Sequence, residues 1–152
     1  MSKRSAEHAT FEIERRYDTP PARVFAAWAD ADAKAAWFGM GAAQTLDFVV
    51  GGAEQLTMTT PGGDVYTYDA RYQDIVPDER IVYSYDMHKN GARISVSLTT
   101  VVFEADGEGT RLAYTEQGVF LDGLDTPAAR EHGTRELLDT LGGHLRGAEA
   151  GA

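Results

Sequence analysis

The sequence predicts an α+β domain: a curved antiparallel sheet of six to seven strands wrapped around a long C-terminal helix, with two short helices after the first strand. Three observations predict it. The stretch from Thr126 to Arg146 is the one amphipathic segment long enough to cover a sheet. Ahead of it, residues 45–117 read as alternating strands joined by tight glycine and asparagine turns, which only antiparallel neighbours can use. Finally, 152 residues fit one domain, and no repeat or linker divides them, so sheet and helix must bury their apolar faces on each other.

Residues 1–9 are polar and read as a loose tail, as do residues 148–152, leaving a single domain over 10–147. Phe11, Ile13, Arg15 and Tyr17 alternate with charged residues as a half-buried first strand. Asp18-Thr19-Pro20 opens a helix whose buried face is Val24, Phe25 and Trp28. Asp30 restarts a second short helix that ends at Trp37-Phe38, where Gly39 and Gly41 stop it. Strands follow at Thr45 to Val50 and Glu54 to Thr59, separated by Gly51-Gly52. Val65 to Val76 places Tyr66, Tyr68, Ala70 and Tyr72 on one face. Beyond the Pro77-Asp78 turn, Ile81, Tyr83, Tyr85 and Met87 share a face, and Asn90-Gly91 is a strong hairpin signal. In Ala92 to Glu104 the apolar phase slips from Ile94, Val96 and Leu98 to Val101 and Phe103, which predicts a β-bulge at Thr99-Thr100. Ser95, Ser97 and Thr99 then form its solvent phase. The last strand, Thr110 to Gln117, turns Leu112, Tyr114 and Glu116 inward. Gly118 to Asp125 reads as a loop into the long helix, whose N-cap is Thr126 and whose inner face is Arg130, Thr134, Leu137, Leu138, Leu141 and Leu145.

The net charge of −10 offers no basic stripe for nucleic acid and disfavours docking on an anionic membrane. With no cysteine, disulfides and thiolate chemistry are excluded. No apolar run reaches the ~20 residues of a membrane span, and the N-terminus lacks the apolar core of a secretory signal, so the expected location is cytoplasmic. His8, His88, His132 and His144 form no ligand set, there is no nucleotide-binding glycine pattern and no GxSxG elbow, so no metal or cofactor is expected.

At this point the chain resembles a known family. Its segments RRYDTPPARVFAAWADADAKAAWF, GGAEQLTM, YQDIVPDERIVYSY, GTRLAYTEQGVF and HGTRELLDTLGGHL follow, in order, the motifs of the helix-grip superfamily of START-like lipid-transfer domains and polyketide cyclases (SRPBCC). Within it they resemble the branch named after the activator of the heat-shock chaperone ATPase (AHSA-type). The resemblance runs from Phe11 to Leu145 and implies a helix-grip fold with a cavity between sheet and C-terminal helix. It departs from the family at two inward positions: Thr134 stands where the family has a tryptophan, and Glu116 where it has a histidine or small polar residue. The first departure enlarges the expected cavity.

The residues expected around that cavity are Trp28, Trp37 and Phe38 from the short helices and Met58, Tyr66, Tyr68 and Tyr72 from the middle strands. Tyr83, Tyr85, Met87, Tyr114, Glu116 and Phe120 follow from the later strands, and Thr134 and Leu138 from the long helix. The same aromatic set would equally fill a plain core. Arg15 and Glu116 are the two charges on inward phases of the first and last strands, which a helix-grip sheet makes neighbours, so they are expected to pair. Glu116 is the candidate general base and Arg15 the candidate carboxylate anchor, against a purely structural pair or side chains escaping at an open end.

The reading that follows is a binding module for a small apolar or amphipathic ligand, because no constellation of nucleophile, base and orienting group can be assembled. A cyclase- or hydrolase-type enzyme using the same cavity is the first alternative. A chaperone-associated interaction domain, raised by the resemblance alone, is the second. A homodimer through the exposed sheet face is left open.

Overall fold

A computed structural model describes residues 4–39 and 43–150. The elements run β1 (Ala6–Tyr17), α1 (Pro21–Ala29), α2 (Ala31–Trp37), β2 (Ala43–Leu46), β3 (Ala53–Thr59), β4 (Val65–Val76), β5 (Arg80–Lys89), β6 (Ala92–Asp106), β7 (Gly109–Leu121) and α3 (Pro127–Ala150). The seven strands form one antiparallel sheet in the order β1-β7-β6-β5-β4-β3-β2. The first strand closes against the last, and hairpins carry the chain from β2 to β7. This is the helix-grip α+β arrangement. Among the described residues no helix is long and apolar enough to cross a membrane.

Local chemistry explains the short helices. Pro20 and Pro21 occupy the N-cap and first helical position of α1, where no N–H is needed. The Asp30 carboxylate accepts from the Asp32 and Ala33 N–H groups and starts α2. Gly39, at φ +63, ends the turn after α2; Gly41 lies outside the described residues. Asn90 and Gly91 both take positive φ in the tight β5–β6 turn.

Five expectations shift. β1 begins at Ala6, paired with Leu121, so residues 6–9 are sheet rather than loose tail, and β7 continues through the expected loop to Leu121. β2 ends at Leu46; Val49 and Val50 are exposed in a turn, while Phe48 leans into the core beside Phe25 and Tyr72. α3 continues past Arg146 to Ala150. The last change matters most for the site. The bulge in β6 falls at Ile94, where Met87 pairs with Ser95 and His88 with Arg93, not at Thr99-Thr100. From that bulge onward Ser95, Ser97, Thr99, Val101 and Phe103 all face inward and are buried, and Val96 and Leu98 stand exposed on the outer face.

The core lies between the inner sheet face, α1, α2 and the second half of α3. Trp28 and Trp37 meet edge to face at 4.8 Å, Phe25 packs on Phe103, and Leu138, Leu141 and Leu145 seal the layer. The Tyr17 hydroxyl donates to the Leu138 carbonyl at 2.7 Å, fixing α3 to β1.

Candidate functional site

Two features of α3 place the site. Thr126 caps the helix, its hydroxyl accepting from the Ala129 N–H at 3.1 Å, which sets the rotation of the first turns. Gly133 and Thr134 then keep the next turn slim. A recess of about 300 Å³ results between the first half of α3 and the inner face of the sheet. Leu56, Met58, Tyr68, Tyr83, Tyr85, Met87 and Tyr114 line it from the strands. Phe38 and Gly39 line it from the end of α2, and Asp125, Ala129, Arg130, Gly133, Thr134 and Leu137 from α3 and its entry. Two larger hollows, of about 510 and 610 Å³, lie along the outer sheet face away from α3. Their walls include Asp69, Arg71 and Asp86 in one and Thr10, Leu98 and Gln117 in the other.

A buried polar network forms one end of the recess. Glu116 accepts from the Tyr85 hydroxyl at 2.8 Å, Ser97 at 3.0 Å, Tyr114 at 2.9 Å and Arg130 at 3.4 Å. Arg130 also donates to the Tyr85 hydroxyl, to Ser95 and to the Asp125 carboxylate, each at 2.8 Å. The Arg130 and Glu116 side chains are only 9% and 1% exposed, so each depends on these partners. Phe120 supplies a ring face 5.2 Å from the guanidinium carbon. Burial alone would lower the Arg130 pKa, but Tyr85, Glu116 and Asp125 outweigh it and hold the group charged.

A second buried pair lies behind Phe38. The Lys34 ammonium donates to Glu54 at 2.7 Å and to the Tyr72 hydroxyl at 3.3 Å, and sits 4.5 Å from the Phe38 ring centre. Both charged side chains are 1% exposed. Burial pushes the Lys34 pKa down, with Glu54 opposing it. Glu54 Oε2 and the Tyr68 hydroxyl have no hydrogen-bond partner in the structure. An unsatisfied buried polar atom costs about 1–3 kcal/mol, and the Trp28 indole N–H in the packed core is unpartnered as well. Burial, above all, raises the tyrosines Tyr68, Tyr72, Tyr83, Tyr85 and Tyr114 above their usual range, and the neighbouring carboxylates add to it.

Residues 18–146 match the family described as Activator of Hsp90 ATPase homolog 1-like protein. The chain belongs to that family. A solved structure from Rhizobium leguminosarum shares 47% identity over 95% of this chain and 98% of its own, with a TM-score of 0.91. The Mll3558 protein of Rhizobium loti shares 48% over 92% and 99%, at 0.87. A Staphylococcus aureus protein of unknown function, 19% identical over 95% and 98%, shares the fold at 0.77. No curated protein matches the chain.

The expected site residues divide into groups. Phe38, Met58, Tyr68, Tyr83, Tyr85, Met87, Tyr114 and Thr134 line the recess, and Glu116 and Phe120 stand at its polar end. Trp28, Trp37, Tyr72 and Leu138 belong to the packed core, and Tyr66 sits at the start of β4 with Lys89 5.7 Å from its ring centre. The expected Arg15–Glu116 pair does not form. Arg15 lies across from Leu112 and reaches out to Asp139 of α3 at 2.9 Å, while Phe11 stands opposite Glu116. The register puts Arg15 four residues down the strand from Glu116's neighbour, at the edge of α3, where water is available.

Sequence reasoning missed Lys34, Glu54, Ser95 and Ser97, and missed Arg130 as the partner of Glu116. Part of the signal was present: Lys34, Trp37 and Phe38 share a helical face, and Glu54 shares the inward phase of Leu56 and Met58. His88, taken as surface, is half-buried on the outer face with Asp69 and Asp86, their ligand atoms within 4.8 Å of one another. Arg93 already pairs with Asp86 there at 3.0 Å.

Proposed function

We propose that the protein binds a small, largely apolar molecule in the recess between the sheet and α3. One observation carries the reading: a recess of about 300 Å³, walled by aromatic and methionine side chains, is left between the sheet and the first half of α3. Binding fits the chemistry better than turnover. Both Glu116 oxygens already accept hydrogen bonds, from Tyr85, Ser97, Tyr114 and Arg130, so the carboxylate is tied into the fold rather than presented as a free base.

Native mass spectrometry of the protein purified from its own host tests this, followed by denaturing release. A stoichiometric released species of low mass supports the reading. An empty protein with no thermal shift across a panel of apolar small molecules contradicts it, and moves the reading to the interaction role that the family description suggests.

A further inference from the structure

We infer that Asp69, Asp86 and His88 form a binding site for a divalent transition-metal ion, best suited to Zn²⁺, on the outer face of the sheet. The recess lies on the inner face, so the two readings stand or fall independently.

The strand register builds the set. Tyr68, Ala70, Tyr83 and Tyr85 are buried on the inner face, so Asp69 and Asp86 turn outward. β4 and β5 place these two carboxylates directly opposite each other, and His88 follows on the same face, opposite Thr67. One ligand atom from each of the three lies within 4.8 Å of the others, and His88 Nδ1 stands 4.0 Å from Asp86 Oδ2. Around a zinc ion with bonds of about 2.1 Å, neighbouring ligand atoms sit about 3.4 Å apart, so small side-chain rotations close the set.

Stability does not explain the arrangement. Like charges directly opposite on neighbouring strands weaken a sheet. Here both carboxylates are half-buried, which screens them less from each other. Among the described residues the Asp69 carboxylate has no hydrogen bond or ion pair, and its neighbour across on β3 is the uncharged Gln55. Two arginines share this face. Arg71 donates to the Gly51 carbonyl at 2.7 Å, and Arg93 donates to Asp86 at 3.0 Å. Arg93 is 54% exposed, a surface partner that an ion can replace.

The donor set selects the ion. An imidazole nitrogen beside two carboxylates suits zinc and its first-row neighbours, whereas Mg²⁺ and Ca²⁺ favour oxygen donors throughout. The two carboxylates balance the ion's double charge. Three protein ligands leave a fourth tetrahedral position to water. A hollow of about 510 Å³, walled in part by Asp69, Asp86 and Arg93, gives the ion its way in.

Calorimetric titration of the metal-stripped full chain with zinc chloride tests the site, with wild type beside Asp69→Asn, His88→Ala, Arg93→Ala and His132→Ala. The last is the control, because His132 and Glu136 form an exposed pair at 3.0 Å that could also attract zinc. Wild type should take up one Zn²⁺ with a dissociation constant of about 10 µM or tighter, and about a hundredfold excess of Mg²⁺ should not displace it. Asp69→Asn and His88→Ala should each weaken binding at least about tenfold. Arg93→Ala should tighten it, because no guanidinium has to leave, and His132→Ala should change nothing. Metal-free Asp69→Asn should melt no lower than wild type, whereas zinc should raise the melting temperature of wild type and not of Asp69→Asn. Zinc binding that survives both ligand substitutions, that disappears in His132→Ala or that yields to Mg²⁺ overturns the inference. A wild type that binds no zinc overturns it whatever the variants do.

Discussion

Arg130 of α3 and Glu116 of β7 meet at 3.4 Å, almost sealed from water, and the pair ties the first turns of the long helix to the last strand. Breaking such a pair from one side leaves a buried charge with nothing to answer it. Arg130→Met should cost about 3–5 kcal/mol in urea unfolding, and the double variant Arg130→Met, Glu116→Gln should recover much of that loss. Additive losses in the cycle would show that the two groups are not coupled.

Lys34 and Glu54 predict a second, independent cycle. Lys34→Met alone strands Glu54 and should destabilise by about 3–5 kcal/mol, whereas Lys34→Met with Glu54→Leu should come close to wild-type stability. The two cycles should add, since Lys34 and Arg130 share no hydrogen-bond partner.

Alkaline pH tests the buried tyrosines. Tyr17, Tyr68, Tyr72, Tyr83, Tyr85 and Tyr114 all have folded pKa values raised above the usual 10.0, chiefly by burial. Above pH 10.0 the unfolded chain releases those protons and the folded chain keeps them, so the folded state binds more protons and loses stability as pH rises. Lys34 works in the other direction. Its folded pKa lies below 10.5, the unfolded chain binds the extra proton, and its cost to the fold is relieved as pH climbs toward 10.5. Several tyrosines outweigh one lysine, so the unfolding free energy should fall steeply beyond pH 10, with tyrosinate absorbance appearing together with loss of structure. Stability flat to pH 11 would contradict the burial of these hydroxyls.

Gly109 opens β7 where the chain crosses β1, and a Cβ there would stand 2.4 Å from the Tyr17 carbonyl oxygen. Backbone cannot yield as a side-chain tip can. Gly109→Ala should therefore destabilise by about 1–3 kcal/mol, whereas Gly107→Ala, in open space but at φ +60, should cost less; thermal unfolding of the two variants decides.

The fold was legible because its signals are local. The Asp30 cap, the Asn90-Gly91 turn and the alternation of Tyr68, Ala70 and Tyr72 each act within a few residues. The site was only partly legible because its polar residues answer partners far along the chain. In β6 the apolar Val96 and Leu98 looked inward and the polar Ser95 and Ser97 outward, and the structure reverses both. Those hydroxyls face inward to serve Arg130 and Glu116, which a strand's own periodicity cannot reveal. Arg15 failed for a related reason: its phase was read correctly, but one strand register decided that Asp139, not Glu116, lay within reach.

Thr134 offers the most direct test of the central claim. It lines the recess and is almost fully buried. Thr134→Trp should fill the recess from α3, while Thr134→Ala should leave it open. The decisive measurement is the thermal shift and calorimetric affinity of wild type and both variants with 2-acetylnaphthalene. The account predicts saturable binding by wild type and Thr134→Ala, and its loss in a folded Thr134→Trp. Equal binding by folded Thr134→Trp would contradict it, because the guest would then lie somewhere other than between α3 and the sheet.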